Sequence, residues 1–300
     1  MKPLWVRSWL CGLGLALGCG SVASPGGRDA MPVCDPDGAF DPPVLMTGFG
    51  TSVAEAAAHF STDELTMYFA ATYAGGLGAF DLYTAKRSRI EDPFGIPASL
   101  TALNTAAADA DPSVSADELT VVFYSNRIAN EGSHIYVATR SSPLAAFGAP
   151  APLAGVASPT GTNTDFTAFL SADGQELWFA SDRGGNFDLW RAPRTGAGFA
   201  NPEAVAALNT ADLEIIPVLS ADRLTVYFST SRGAATQNQD IWIAHRATVT
   251  GEFSAPHPVE GVNTTGNDHP SWLSPDNCRL YLTSNVSTTD DLYVATRQPR

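Results

Sequence analysis

The sequence predicts an all-β chain folded as a five-bladed β-propeller, and three observations carry that expectation. Ser-x-Asp recurs in one frame at Ser61/Asp63, Ser115/Asp117, Ser171/Asp173, Ser220/Asp222 and Ser274/Asp276. The period is about fifty residues, and each unit holds short β-rich runs separated by turn residues, the form a four-stranded blade takes in sequence. The last of those runs is missing after Arg297, and a fifth copy stands ahead of the first unit as Phe40-Asp41-Pro42-Pro43-Val44.

Residues 1–18, MKPLWVRSWLCGLGLALG, place Lys2 and Arg7 ahead of an apolar stretch too short to span a bilayer, the pattern of a secretory signal peptide. Leu15-Ala16-Leu17-Gly18-Cys19 resembles the lipobox of bacterial lipoproteins, which implies a lipidated Cys19 as the first mature residue. Residues 19–38 are small, rich in proline and glycine and aperiodic, and read as a flexible tether. Residues 39–300 hold the propeller. Losing Lys2 and Arg7 takes the formal charge from −14 to −16. So acidic a surface repels phosphates, which excludes nucleic acid as an expected partner and leaves the lipid anchor as the expected contact with a membrane. Cys34 and Cys278 remain beyond Cys19 as an even pair of thiols, which in an exported protein points to a disulfide.

Within a blade, residues 166–193 show the plan. FTAFLS is an inner strand, and Ala-Asp-Gly makes a turn in which the carboxylate bonds backbone N–H groups and Gly supplies a positive φ. QELWFAS, apolar on both faces, is a second strand covered on both sides, and FDLWRAP is a third. The second strand ends on Phe69, Phe123, Phe179, Phe228 and Leu282, and the third carries Asp81, His134, Asp188, Asp240 and Asp291. Phe94/Pro97, Phe147/Pro150, Phe199/Pro202 and Phe253/Pro256 mark outer strands, where proline is tolerated at an edge. An open ring would expose strand edges. The N-terminal strand is therefore expected to complete the last blade, which brings Cys34 beside the turn holding Cys278.

Leu219-Ser220-Ala221-Asp222 with Ser231-Arg232 and Asp240-Ile241-Trp242, and Pro270 with Ser274-Pro275-Asp276, resemble the WD-repeat-like units of TolB-like propellers over residues 40–297. The resemblance implies an exported propeller of the cell envelope, several of whose relatives bind other proteins.

One column invites chemistry. Six residues before each serine of Ser-x-Asp stands Glu55, Asp109, Asp165, Glu214 or Asp268, at the start of the innermost strand by the channel mouth. Twelve residues after the serine stand Arg127, Arg183 and Arg232 in three blades, and Tyr73 and Val286 in the others. Either the acids cap backbone groups and pair with arginines, or they form an electronegative funnel for a polar or cationic ligand; carboxylates this close need some partner. Asn104-Thr105, Asn209-Thr210 and Asn263-Thr264 are expected to orient the incoming strand, and Trp272 is the tryptophan placed to meet a ligand. The five histidines fall at five different repeat positions without metal-binding spacing, and no nucleophile elbow or phosphate loop occurs. No catalytic residue, metal or cofactor is thus expected. The reading is a monomeric, non-catalytic envelope lipoprotein of the outer membrane or periplasm, binding an envelope protein or polysaccharide. Its alternative is a carbohydrate-active hydrolase using two acids of the channel mouth.

Overall fold

The computed structural model describes residues 33–49, 52–156, 162–196, 198–233 and 238–299. The signal segment 1–18 and Cys19 lie outside the described residues. Five antiparallel sheets follow one another along the chain, and no described residue is helical. Blade one runs Glu55–Phe60, Thr66–Ala71, Asp81–Lys86 and Ala98–Ser99 from the inside outwards. Blade two runs Asp109–Val114, Thr120–Ser125, His134–Thr139 and Ala151–Pro152. Blade three runs Asp165–Leu170, Glu176–Ser181, Asp188–Thr195 and Glu203–Ala204. Blade four runs Glu214–Leu219, Thr225–Thr230, Asp240–His245 and His257–Pro258.

Blade five closes the ring. Asp268–Leu273, Arg279–Ser284 and Asp291–Thr296 are completed by Val44–Leu45, which pairs antiparallel with Val294 and Tyr293. Asp41 N–H donates to Thr296 O at 2.7 Å and Met46 N–H to Leu292 O at 2.9 Å, extending the seam on both sides of that pair. The Cys34–Cys278 disulfide joins the same seam, and Cys34 N–H donates to Asp276 O at 2.8 Å. The tethered region therefore packs on the propeller from Cys34 onward, ahead of the boundary at residue 39 that composition suggested.

The second strands of blades one, three and four are buried throughout and those of blades two and five nearly so, which is why their sequences lack alternation: each is covered by the blade on either side. The outer strands are two residues long and begin just after Pro97, Pro150, Pro202 and Pro256, since a proline cannot donate to a ladder.

The Ser-x-Asp turn is a bracket for the first hairpin. In blade one Ser61 Oγ donates to Asp63 Oδ1 (2.6 Å) and accepts from Thr66 N–H (2.9 Å), while Leu65 N–H donates to the same carboxylate (3.0 Å). The bracket repeats at Ser115, Ser171, Ser220 and Ser274. Its next residue lies in the left-handed region in every blade, yet only blade three places glycine there: Glu64 (φ 61°), Glu118 (58°), Gly174 (66°), Arg223 (61°) and Asn277 (60°).

Candidate functional site

The five carboxylates of the inner-strand column are all fully buried. Asp109 accepts from Thr105 N–H (2.6 Å), Thr105 Oγ1 (2.8 Å) and Arg127 Nη2 (2.5 Å). Asp165 pairs with Arg183 Nη2 at 2.6 Å. Glu214 accepts from Thr210 N–H and Oγ1 (both 2.7 Å), Thr230 Oγ1 (3.0 Å) and Arg232 Nη2 (2.8 Å). Where the arginine is missing another donor serves. Glu55 accepts from the Tyr73 hydroxyl, whose pKa rises through burial first and the Glu55 charge second. Asp268 accepts from Thr264 N–H (2.5 Å) and Oγ1 (3.0 Å); burial raises its pKa, opposed by the Ser284 and Thr264 bonds.

The three arginines are held as firmly as the acids. Arg127, Arg183 and Arg232 each donate to a backbone carbonyl of the same mouth, of Leu103, Val156 and Leu208. Each also stacks on its own blade: Arg127 stands over Tyr136 at 4.4 Å, Arg183 over Trp190 and Arg232 over Trp242 at 5.2 Å. The asparagines do the orienting expected of them. Asn104 accepts from Leu82 N–H (2.8 Å) and donates to Leu82 O (3.0 Å), and Asn209 and Asn263 repeat this on Leu189 and Ile241.

Two residues further along each inner strand the backbone departs from the ladder. Ala57 (φ 56°), Asp111 (52°), Thr167 (52°) and Ile216 (55°) sit in left-handed bulges in blades one to four. Such a φ is costly for a β-branched residue, so Thr167 and Ile216 are strained. Blade five has Pro270 there, whose ring fixes a negative φ; Pro270 stays paired with Leu282 and the irregularity falls one residue later. The bulges tie neighbouring blades together: Ala57 N–H donates to Thr283 Oγ1 (3.0 Å) and Ile216 N–H to Thr167 Oγ1 (3.2 Å), while Thr167 N–H meets the Asp111 carboxyl.

These bulges, not the carboxylate column, line the channel. At the mouth predicted from sequence lies a cavity of about 180 Å³, walled by Ala56, Ala57, Ala70, Phe80, Ala110 and Ile216 among others. Its polar groups are Asp111, Tyr124, His269, Ser271, Thr283 and Asp290. Burial lifts the Asp111 carboxyl to about 7, partly offset by Thr167 N–H, and raises Asp290, to which the Asp291 charge adds. Burial drops His269 to about 4 and His59, deeper in the channel, to about 3. Ser229 Oγ donates its one proton to Asp268 O at 2.8 Å, so in the 3.0 Å contact with His269 the ring Nδ1 is the donor and Nε2 is left an acceptor. Trp272 is 6% exposed and packs on Phe60 and Tyr281 by the opposite end of the channel, so it serves as core there.

The acids and arginines were legible as columns, and the groups that line this cavity were not. The bulge positions hold Ala, Asp, Thr and Ile, which share no chemistry, so no column announces them. Among the described residues no cluster of histidine, cysteine or acid side chains is arranged to hold a metal ion.

No protein-family model matches the chain, and no curated protein does. Solved structures do. A thermostable family-43 glycoside hydrolase aligns with TM-score 0.55 and 14% identity over 84% of this chain and 91% of that one. A GH62 hydrolase in complex with xylotriose aligns with TM-score 0.54 and 12% identity over 87% and 98%. TolB from Acinetobacter baumannii aligns with TM-score 0.49 and 14% identity over 82% and 55%, so this chain spans little more than half the length of that protein. At such identities the likeness to the hydrolases is one of fold alone: a five-bladed β-propeller.

Proposed function

We propose that this chain is a binding module of the cell envelope that takes up a polar group of an envelope protein or polysaccharide in its axial cavity. The observation that carries the reading is the set of three strained or left-handed residues, Ala57, Asp111 and Ile216, all lining one cavity at the loop-rich mouth. Strain kept at several sites around one cavity points to use of that cavity. A carboxyl near neutrality, a phenol and an imidazole Nε2 acceptor set in an apolar wall give it orientation without strong charge. The eight residues of the acid–arginine column enter this reading as the frame that fixes the bulges. As exported lipoprotein the chain would be anchored through Cys19 and act as a monomer, without metal or cofactor.

Hydrolysis is the second reading, and Asp111 together with Asp290 favours it over any pair drawn from the column. A glycosidase needs one carboxyl of raised pKa and a second across the scissile bond. The column acids would have to leave buried ion pairs to reach a substrate. Crosslinking and affinity capture from intact envelopes tests the two. Ile216→Tyr should fill the cavity without new backbone strain, since it replaces a β-branched residue, and should abolish capture of the partner. Capture that survives this change defeats the binding reading; turnover of a glycan that Asp111→Asn abolishes establishes the other.

A further inference from the structure

One position of the repeat is filled at four blade interfaces and open at the fifth. At the end of each third strand stands an arginine, Arg87, Arg140, Arg194, Arg246 or Arg297, whose Nε donates to the carbonyl of the left-handed turn residue: Glu64, Glu118, Gly174, Arg223 or Asn277, at 2.6–2.8 Å. The terminal nitrogens then reach the preceding blade. Arg140 meets the Tyr68 hydroxyl (2.6 Å) and Glu118 (3.5 Å), which itself accepts from Tyr68 (2.6 Å). Arg87 meets Tyr281 (3.2 Å) and Glu64 (4.0 Å), and Tyr281 donates to Glu64 (2.6 Å). Arg246 pairs with Glu176 at 3.1 Å, and Arg297 with Tyr227 (3.4 Å) and the carbonyls of Pro36 and Gly38.

Between blades two and three both partners are missing. Val122 stands where Tyr68, Tyr281 and Tyr227 stand, and the turn residue is Gly174. Arg194 keeps its bond to Gly174 O (2.7 Å) and its place over Phe199 (5.0 Å), but among the described residues its terminal nitrogens bond nothing. It lines an open groove of about 380 Å³ with Ser115, Asp117, Thr120, Asp173 and Gln175, where Asp173 is paired with Arg223 at 3.2 Å.

We propose that this groove is a carboxylate-binding site, in which Arg194 takes the carboxylate of an external ligand where its counterparts take Glu64, Glu118 or Glu176. The chain supplies the template itself: at three interfaces the same guanidinium has a carboxylate beside it, Glu176 at 3.1 Å, Glu118 at 3.5 Å and Glu64 at 4.0 Å. A planar guanidinium with two free amino groups matches a carboxylate bidentately. Thr120 and Gln175 offer hydroxyl and amide groups to the rest of the ligand. Asp117, kept ionised by Ser115 Oγ and Leu119 N–H, lines the same groove. The axial cavity is a separate site, so this proposal stands or falls without it.

Titration of the isotope-labelled propeller followed by NMR tests the site, with three probes: glutarate, a blocked peptide with one central glutamate, and that peptide with glutamine instead. The amides of Gly174 and Gln175 should shift with both carboxylates and not with the glutamine peptide. Tighter binding of the glutamate peptide assigns an acidic side chain of a protein as the natural ligand; tighter binding of glutarate assigns a small acid; either supports the site. Arg194→Gln should weaken binding at least tenfold. Gly174→Glu provides the control that folding cannot confound. A Cβ at Gly174 meets nothing nearer than Arg194 Nη2 at 4.0 Å, and glutamate already stands at this φ in blades one and two. Its carboxylate should close on Arg194, raise the melting temperature and abolish binding of both probes. Equal shifts with the glutamine peptide, or unchanged binding in either variant, would overturn the assignment.

Discussion

Asp111 shows what a single residue's setting does to its chemistry. Its carboxyl is walled by alanines and Ile216 and titrates near 7, whereas in the unfolded chain it titrates near its ordinary value of 3.8. Between those two values the folded protein holds a proton that the unfolded chain has released. Stability from this group is therefore full below about pH 4 and falls as pH rises to about 7, by a few kcal/mol at most and less where cavity water reaches the carboxyl. Asp111→Asn should remove that fall, so urea midpoints of variant and parent should diverge as pH is raised from 4 to 7; parallel curves would show the carboxyl to be solvated. The residue column that could be read in advance, the inner-strand acids, was legible because its chemistry repeats. Its direction was not. Alternation along a strand cannot tell that a left-handed residue two places on turns the chain, nor that Thr105, Thr210 and Thr264 wait to cap the acids.

At the scale of the element, the Ser-x-Asp turn is more than a hairpin bracket. A left-handed residue projects its side chain away from its own sheet, and here Glu64 and Glu118 use that projection to reach the preceding blade. Backbone strain at the turn is exchanged for a bond between blades. Glu118→Ala should cost about 1–3 kcal/mol, because the buried Tyr68 hydroxyl and Arg140 lose a half-buried charged partner. Glu118→Gly should cost less by about 1 kcal/mol, since glycine relieves the backbone while losing the same contact. Equilibrium denaturation of the pair separates the two contributions; equal losses would mean the turn carries no strain. The arginine that closes each clasp ends the runs DLYTAKR, HIYVATR, DLWRAPR, DIWIAHR and DLYVATR, so it was present in the sequence as a column. It was missed because the partners it keeps in every blade are a backbone carbonyl and an aromatic ring, while its carboxylates, Glu64, Glu118 and Glu176, do not share one repeat position. The same column explains Phe40: Arg297 stands 4.3 Å over its ring, as Arg87 stands over Phe94 and Arg140 over Phe147.

For the whole molecule the decisive feature is the seam. The fold class, the number of blades and the borrowed outer strand were all legible, because a missing copy at one end and a surplus copy at the other admit one closure. The pairing settled on Val44–Leu45, at the end of the run Phe40–Val44, since Pro42 and Pro43 cannot donate to the ladder. The Cys34–Cys278 bridge spans 244 residues. Cross-linking so long a loop restricts the unfolded chain, and Cys34→Ser should cost of the order of 3–5 kcal/mol. Reductant should lower the urea midpoint of the parent to that of the variant and leave the variant unmoved; a midpoint indifferent to reductant would show the seam to be held by packing alone.

The borrowed strand also sets an order of events. Val44 and Leu45 are made before the first blade, and their partners Tyr293 and Val294 emerge some 250 positions later, so a growing chain carries an unclosed edge until the fifth blade is made. Four blades can form while that edge waits, and the fifth cannot. Circularisation is thereby postponed until the last blade is made.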